Sequence, residues 1–175
     1  MVAPDNAFEG SGAGTRGPAI ARPAAPLVFG YAAYGAYWGA WAVMFAEYLA
    51  HRDLSMAAAG GLFSVTSVTA IATMVLIGGP AVRWPRARTT AVAFCLSAAG
   101  GIAVALADGA WLIPAFGLLG LGIGLVDVLV NIAGAELEAR TRRPVLQIVH
   151  AAYGLGGGVA AVLTAVAVGR GATAA

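Results

Sequence analysis

The chain has 175 residues, 60% hydrophobic and 10% charged, with a mean hydropathy of +0.83; these values exclude an ordinary soluble domain and specify an integral membrane protein. Ten arginines, no lysine and eight acids leave a formal charge of +2, which is informative by position rather than as a sum and does not imply nucleic acid. The single cysteine, Cys95, has no partner in the chain, so no intrachain disulfide is possible.

Residues 1–26 hold Pro4, Pro18, Pro23, Pro26 and several glycines without an apolar period, which reads as a disordered tail. The first apolar run begins near Leu27 and is about 24 residues long, a span rather than the core of a signal peptide. Five such runs follow one another, at about 27–50, 57–81, 89–107, 110–134 and 145–168, before a short tail over 169–175. The fold class expected is all-α, with five transmembrane helices.

At helical spacing the first run places Tyr34, Trp38, Trp41, Phe45 and Tyr48 on one face and Gly35, Gly39, Ala42 and Ala46 on the next. Small residues four apart admit a neighbouring helix, and the rings serve either to flank a ligand or to pack and anchor at the interface, the second reading suiting Tyr31 and Tyr48. Glu47, near the end of the run, reads as a solvated headgroup position. The second run carries Gly60, Ser64 and Ser67 on one side, hydroxyls that bond across helices, face a cavity or bond back to their own backbone. Arg83, Pro85, Arg86 and Arg88 end it, since proline opposes a continuing helix and arginine is costly in the bilayer core.

Only Asp108 and Gly109 separate the third and fourth runs, which predicts a tight helical hairpin. On the fourth, Gly117, Gly120, Gly124, Asp127, Asn131 and Gly134 share one face while Leu, Val and Ile occupy faces suited to lipid. A carboxylate at such depth costs roughly 2.5–3.5 kcal/mol on insertion scales, so Asp127 is expected to face a bundle interior or wet cavity. The plainer alternative is a permanently protonated acid bonded to a neighbour. Glu136, Glu138, Arg140, Arg142 and Arg143 form the next polar loop, and Pro144 opens the fifth run. There His150, Gly154, Gly157, Ala161 and Thr164 share a face, which makes His150 either an interface residue or a cavity group.

Arg16, Arg22, Arg83, Arg86, Arg88, Arg140, Arg142 and Arg143 fall on one side of the five runs, and Arg52 and Arg170 on the other. The excess predicts a plasma-membrane protein with its N-terminus inside and its C-terminus outside.

Gly120, Gly122, Gly124, Asp127 and Asn131 match the pattern G-x-G-x-G-x-x-D/E-x-x-x-N, and His150, Tyr153 and Gly156 follow it in the fifth run. Gly78, Arg83 and Arg86 match a G-x-L-x-D-R-x-G-R-R/K loop, from which Pro80, Val82, Pro85 and Ala87 depart. On these residues the chain resembles the N-terminal half of a major facilitator superfamily transporter, most closely its fucose-permease-like branch. The resemblance implies five helices of a six-helix half, with Gly78, Arg83 and Arg86 in the gating loop. It implies substrate or proton binding by Asp127, Asn131, His150, Trp38, Trp41 and Tyr34. The function implied is that of a partial secondary-active permease for a small polar solute, coupled to protons and completed by a second half or a copy of itself in the bilayer. No cofactor or metal is implied, and no enzyme activity: an intramembrane aspartic hydrolase needs a second mid-membrane acid, and Val126 stands where its motif has glycine. The rival reading is a non-transporting scaffold, accessory subunit or truncated remnant.

Overall fold

A computed structural model describes residues 24–81 and 83–171. Five long helices run in order: α1 over Ala25–His51, α2 over Met56–Ala81, α3 over Arg86–Leu106, α4 over Leu112–Thr141 and α5 over Val145–Gly169. Pro26 sits in the first turn of α1, where its fixed φ suits a helix and its missing N–H is not needed. The Ser55 hydroxyl accepts the Ala58 amide at 3.1 Å and so starts α2. Pro80 and Pro85 bracket the end of α2, and a 3-10 turn over Gly109–Trp111 leads into α4, making the expected hairpin.

Several boundaries move. Residues 24–26 belong to the start of α1, while the rest of the N-terminal tail, and 172–175 of the C-terminal one, lie outside the described residues. The third helix starts at Arg86 rather than near 89. Glu136, Glu138 and Arg140, read as loop, are the last turns of α4, which stops only at Arg142 with a left-handed φ of 52°. Loss of apolarity is not loss of helix: Glu, Leu, Ala and Arg are strong helix formers, and the Glu138 carboxylate accepts the amide of Leu146 at the start of α5.

Four of these helices, α2, α3, α4 with its 3-10 turn, and α5, are long and apolar enough to cross a membrane. The 27-residue α1 is as long, but its polar-tipped rings and Glu47 leave it below that apolarity.

Packing places α4 at the centre, between α2 and α3, with α1 laid along α5. Phe116, Leu119, Val126, Leu129 and Val130 of α4 are at most 1% exposed. The Leu and Val faces of this helix, expected in lipid, are therefore core, and the lipid-suited surface belongs to its neighbours. In α5 only Val145 and Val149 are buried, and Leu155, Val162 and Leu163 stand out by 63–70%.

The glycine contacts reveal an internal repeat. The α1 backbone meets α5 at Gly35 with Tyr153, Gly39 with Gly157 and Ala32 with Gly156. Likewise α4 meets α2 at Gly120 with Thr66, Gly124 with Ala70 and Gly117 with Thr69. One interval of 85 residues (35 to 120, 39 to 124, 32 to 117) carries each α1 position to α4, and one of 87 (66 to 153, 70 to 157, 69 to 156) carries α2 to α5. Both pairs are parallel, and α3 runs with α1 but against α4. Helices α1 and α2 thus repeat as α4 and α5 in the opposite direction, an inverted repeat.

Candidate functional site

Asp127 is half-buried on α4, one turn before Asn131. The Asn131 amide nitrogen donates to the backbone carbonyl of Asp127 at 2.8 Å. This is a bond along the helix and does not involve the Asp127 carboxylate. The chain neighbours of Asp127, Val126 and Val128, pack in the same core cluster as Tyr31 and Tyr34 of α1. Tyr31 is 6% exposed and packs at 5.0 Å between ring centres from Tyr153, at 6.0 Å from Tyr34 and edge-on at 5.5 Å from His150. The turn of α4 that carries Asp127, two tyrosines of α1 and Tyr153 of α5 therefore share one cluster, because the α1–α5 seam lies beside the central helix.

Tyr34 extends this cluster toward α3, its hydroxyl sharing a 3.2 Å hydrogen bond with Ser97. Trp38 stands edge-on to Tyr34 at 6.2 Å and packs, like Trp41, against the second core cluster, around Phe116 and Leu119. Trp41 lies further on, 4.9 Å from the Tyr48 ring, and its buried indole N–H has no hydrogen-bond partner. Of the expected binding residues, Tyr34 and Trp38 are in ring contact and Tyr34 packs against the cluster around Val126, next to Asp127 in the chain, whereas Trp41 belongs to a separate aromatic stack. His150 is exposed, with Nδ1 on the carbonyl of Leu146 at 2.9 Å, and touches the cluster through Tyr31.

The expected gating residues also divide. Arg86 holds Glu136 of α4 at 2.7–2.9 Å and donates to the carbonyls of Ala81 and Trp84, pinning the ends of α2, α3 and α4 together. Gly78 has open space around it and Arg83 is exposed.

On α2 the hydroxyl that bridges to another helix is one that the sequence did not single out. Thr66 is buried and donates to the Phe116 carbonyl of α4 at 3.0 Å. Ser64 and Ser67 are exposed and bond back to Gly60 and Phe63 of their own helix, which settles their open reading in favour of local bonding. Tyr31, read as an anchor, and Tyr153, named only within the fifth-run motif, are the other residues not assigned to the site. Each lies three residues, about one helical turn, before a named position, Tyr34 or Gly156, and that spacing was the available signal. On α5 the close approach is made by Gly156 and Gly157, while Gly154, assigned to the same packed face, has nothing within 4 Å.

At the opposite end, Arg52 donates to the carbonyls of Ala105 and Ala107, pairs with Asp108 at 2.5 Å and lies 4.8 Å over the Tyr48 ring. It caps the C-terminus of α3 from the end of α1.

Comparison with protein-family profiles, with curated proteins and with solved structures returned no match. Among the described residues no group of three or more His, Cys, Asp or Glu side chains could hold a metal ion. What the site offers is a carboxylate on a helix whose adjoining residues share an apolar cluster with phenol and other aromatic rings. Ring faces and hydrogen-bonding groups of this kind can take up a hydroxyl-bearing solute.

Proposed function

We propose that the chain is one half of a secondary-active transporter, of the kind the major facilitator resemblance suggests, moving a small polar solute with a proton carried at Asp127. The observation that carries this reading is the position of Asp127: an ionisable group on the central helix of an inverted repeat. Transporter folds built on inverted repeats place substrate and coupling ions near the midplane at the repeat interface. An intramembrane carboxylate is expensive enough to need a use, and proton relay is a common one. Asn131, Tyr31 and Tyr34 would orient the carboxylate and its solute, with Trp38 at the margin.

In this reading all five helices cross the plasma membrane, α1 included. The arginine excess puts the N-terminus in the cytoplasm, so a reporter fused after Arg88 is active inside and one after Gly171 outside. The opposite pattern at both positions would reverse the orientation.

A non-transporting scaffold is the competing reading, and Asp127 separates the two. Membrane vesicles bearing the chain together with the half that completes it, a second polypeptide or a linked copy of itself, are loaded with a pH gradient and challenged with a panel of small sugars, polyols and amino acids while a pH dye is followed. One solute class should collapse the gradient, and Asp127→Asn, which keeps most hydrogen bonding and removes titration, should abolish that response while thermal aggregation in detergent is unchanged. No response to any solute by the completed parent, or an undiminished one by the variant, would end the proton-coupling role.

A further inference from the structure

We propose that the furrow between α1 and α3 holds one anionic phospholipid, with its phosphate at the arginine-bearing mouth and an acyl chain along the apolar floor. Two cavities, of about 530 and 520 Å³, adjoin at Gly30 and Phe94, which line both, and follow one another along the furrow between these helices. The mouth carries Arg86, Thr90, Glu136 and Arg140. Two guanidiniums against one carboxylate leave the mouth net positive, and Glu136 braces Arg86 so that its charge is fixed in place. The α3 helix also begins here without a side-chain cap, adding its first-turn amides and the positive end of its dipole. Arg140 is exposed and reaches the mouth from the last turn of α4.

Beyond Phe94 no charged residue lines the furrow: Ala33, Ala98, Gly101 and Ile102 form a largely apolar floor toward Ala105, with the hydroxyl groups of Tyr34 and Ser97 bonded to each other and that of Tyr37 beside Gly101. From Thr90 to Ala105 α3 rises about 22 Å, more than the ~15 Å half-thickness of a hydrocarbon core. The furrow is therefore charged at one interface and apolar across a leaflet, the pattern of a phospholipid rather than of a free phosphate.

The internal repeat tests the alternative of a helix in this place. Opposite α3, the α4 backbone comes close at Leu119 and Gly122, and the repeat interval returns these positions to Tyr34 and Tyr37 of α1. Where glycine admits α3, α1 carries a tyrosine whose hydroxyl already presses on Gly101. A second helix cannot approach α1 there as closely as α3 approaches α4, whereas an acyl chain passes beside the ring.

The purified full chain in neutral detergent, titrated with dioleoyl phosphatidylglycerol or dioleoyl phosphatidylcholine, tests this by native mass spectrometry and thermal midpoint. One phosphatidylglycerol per chain should be retained and raise the midpoint, with phosphatidylcholine retained less. Arg140→Gln should weaken phosphatidylglycerol retention about fivefold, the order expected for one basic residue at a membrane surface. In Gly30→Leu the new side chain starts at 3.8 Å from Phe94, an ordinary contact, and enters the furrow; it should lose the lipid without lowering the lipid-free midpoint. Equal retention of the two lipids, or unchanged retention in both variants, would overturn the proposal. So would a disulfide from Ala98→Cys to a second polypeptide, which would put a helix in the furrow.

Discussion

At the α2–α4 seam Gly120 and Gly124 lay the α4 backbone on Thr66 and Ala70, and at the α1–α5 seam Gly35 and Gly39 lay α1 on Tyr153 and Gly157 in the same register. The surroundings of the two seams differ. Helix α4 is covered again on its far side by α3, through Gly122 against Ser97 and Gly100 against Leu119, so it is clamped between two backbones. In the second seam α5 has few buried residues, and α1 is bordered on its far side by a furrow rather than by a closely packed backbone. Glycine spacing sets how near two helices come, and a third helix decides whether that contact can yield. The polar finish differs too: Thr66 bonds across the first seam, while the second is faced with tyrosine rings.

Gly120→Leu should produce the largest effect, because its side chain meets the Thr66 backbone while α4 is held on its other side by α3 and cannot give. Overpacking of this kind typically costs about 1–3 kcal/mol and here should reach or exceed the upper end, seen as loss of the monodisperse peak in detergent. Gly35→Leu meets the Tyr153 backbone just as directly, yet α1 is backed by a furrow rather than by a second backbone, so a measurable but smaller drop in thermal midpoint is expected. If Gly35→Leu proved the more damaging, the clamp around α4 would not be the source of the difference. Thr66→Val comes next. Removing the hydroxyl that bridges to Phe116 should cost on the order of 0.6 kcal/mol, the average for interhelical hydrogen bonds in membranes. A midpoint identical to the parent's would mean that the bond across to Phe116 adds nothing to stability. Gly154→Leu, with open space around it, should fall within about 0.5 kcal/mol of the parent. Strong destabilisation there would show a neighbour on the outer face of α5.

Much of this was legible in the chain before any coordinates. Proline and arginine clusters mark the helix ends because both oppose an apolar helix continuing. Gly35 and Gly39 stand out beside an aromatic face because a 3.6-residue period brings them together. Asp127 is conspicuous since a lone carboxylate among Leu and Val has no cheap place in lipid. The errors share one cause. Periodicity assigns residues to a face without saying what that face meets, so the Leu and Val of α4 read as lipid-facing when two helices cover them. Gly154 and Gly156, and Ser64 and Thr66, are pairs of similar residues two apart on one helix, and which of each pair is inside depends on a partner that local pattern does not name.

What the sequence determined by itself is therefore an all-helical chain with helices long and apolar enough to cross a membrane, their order and approximate extent, and the lone carboxylate within the fourth, all consequences of composition, period and solvation cost. Only the tertiary structure decided that α4 is central, that α1 and α2 repeat as α4 and α5 in inverted sense, and that Tyr31, Tyr34 and Tyr153 gather in the cluster around Val126, next to Asp127 in the chain. Those facts depend on which backbones approach, and approach is a property of two helices at once.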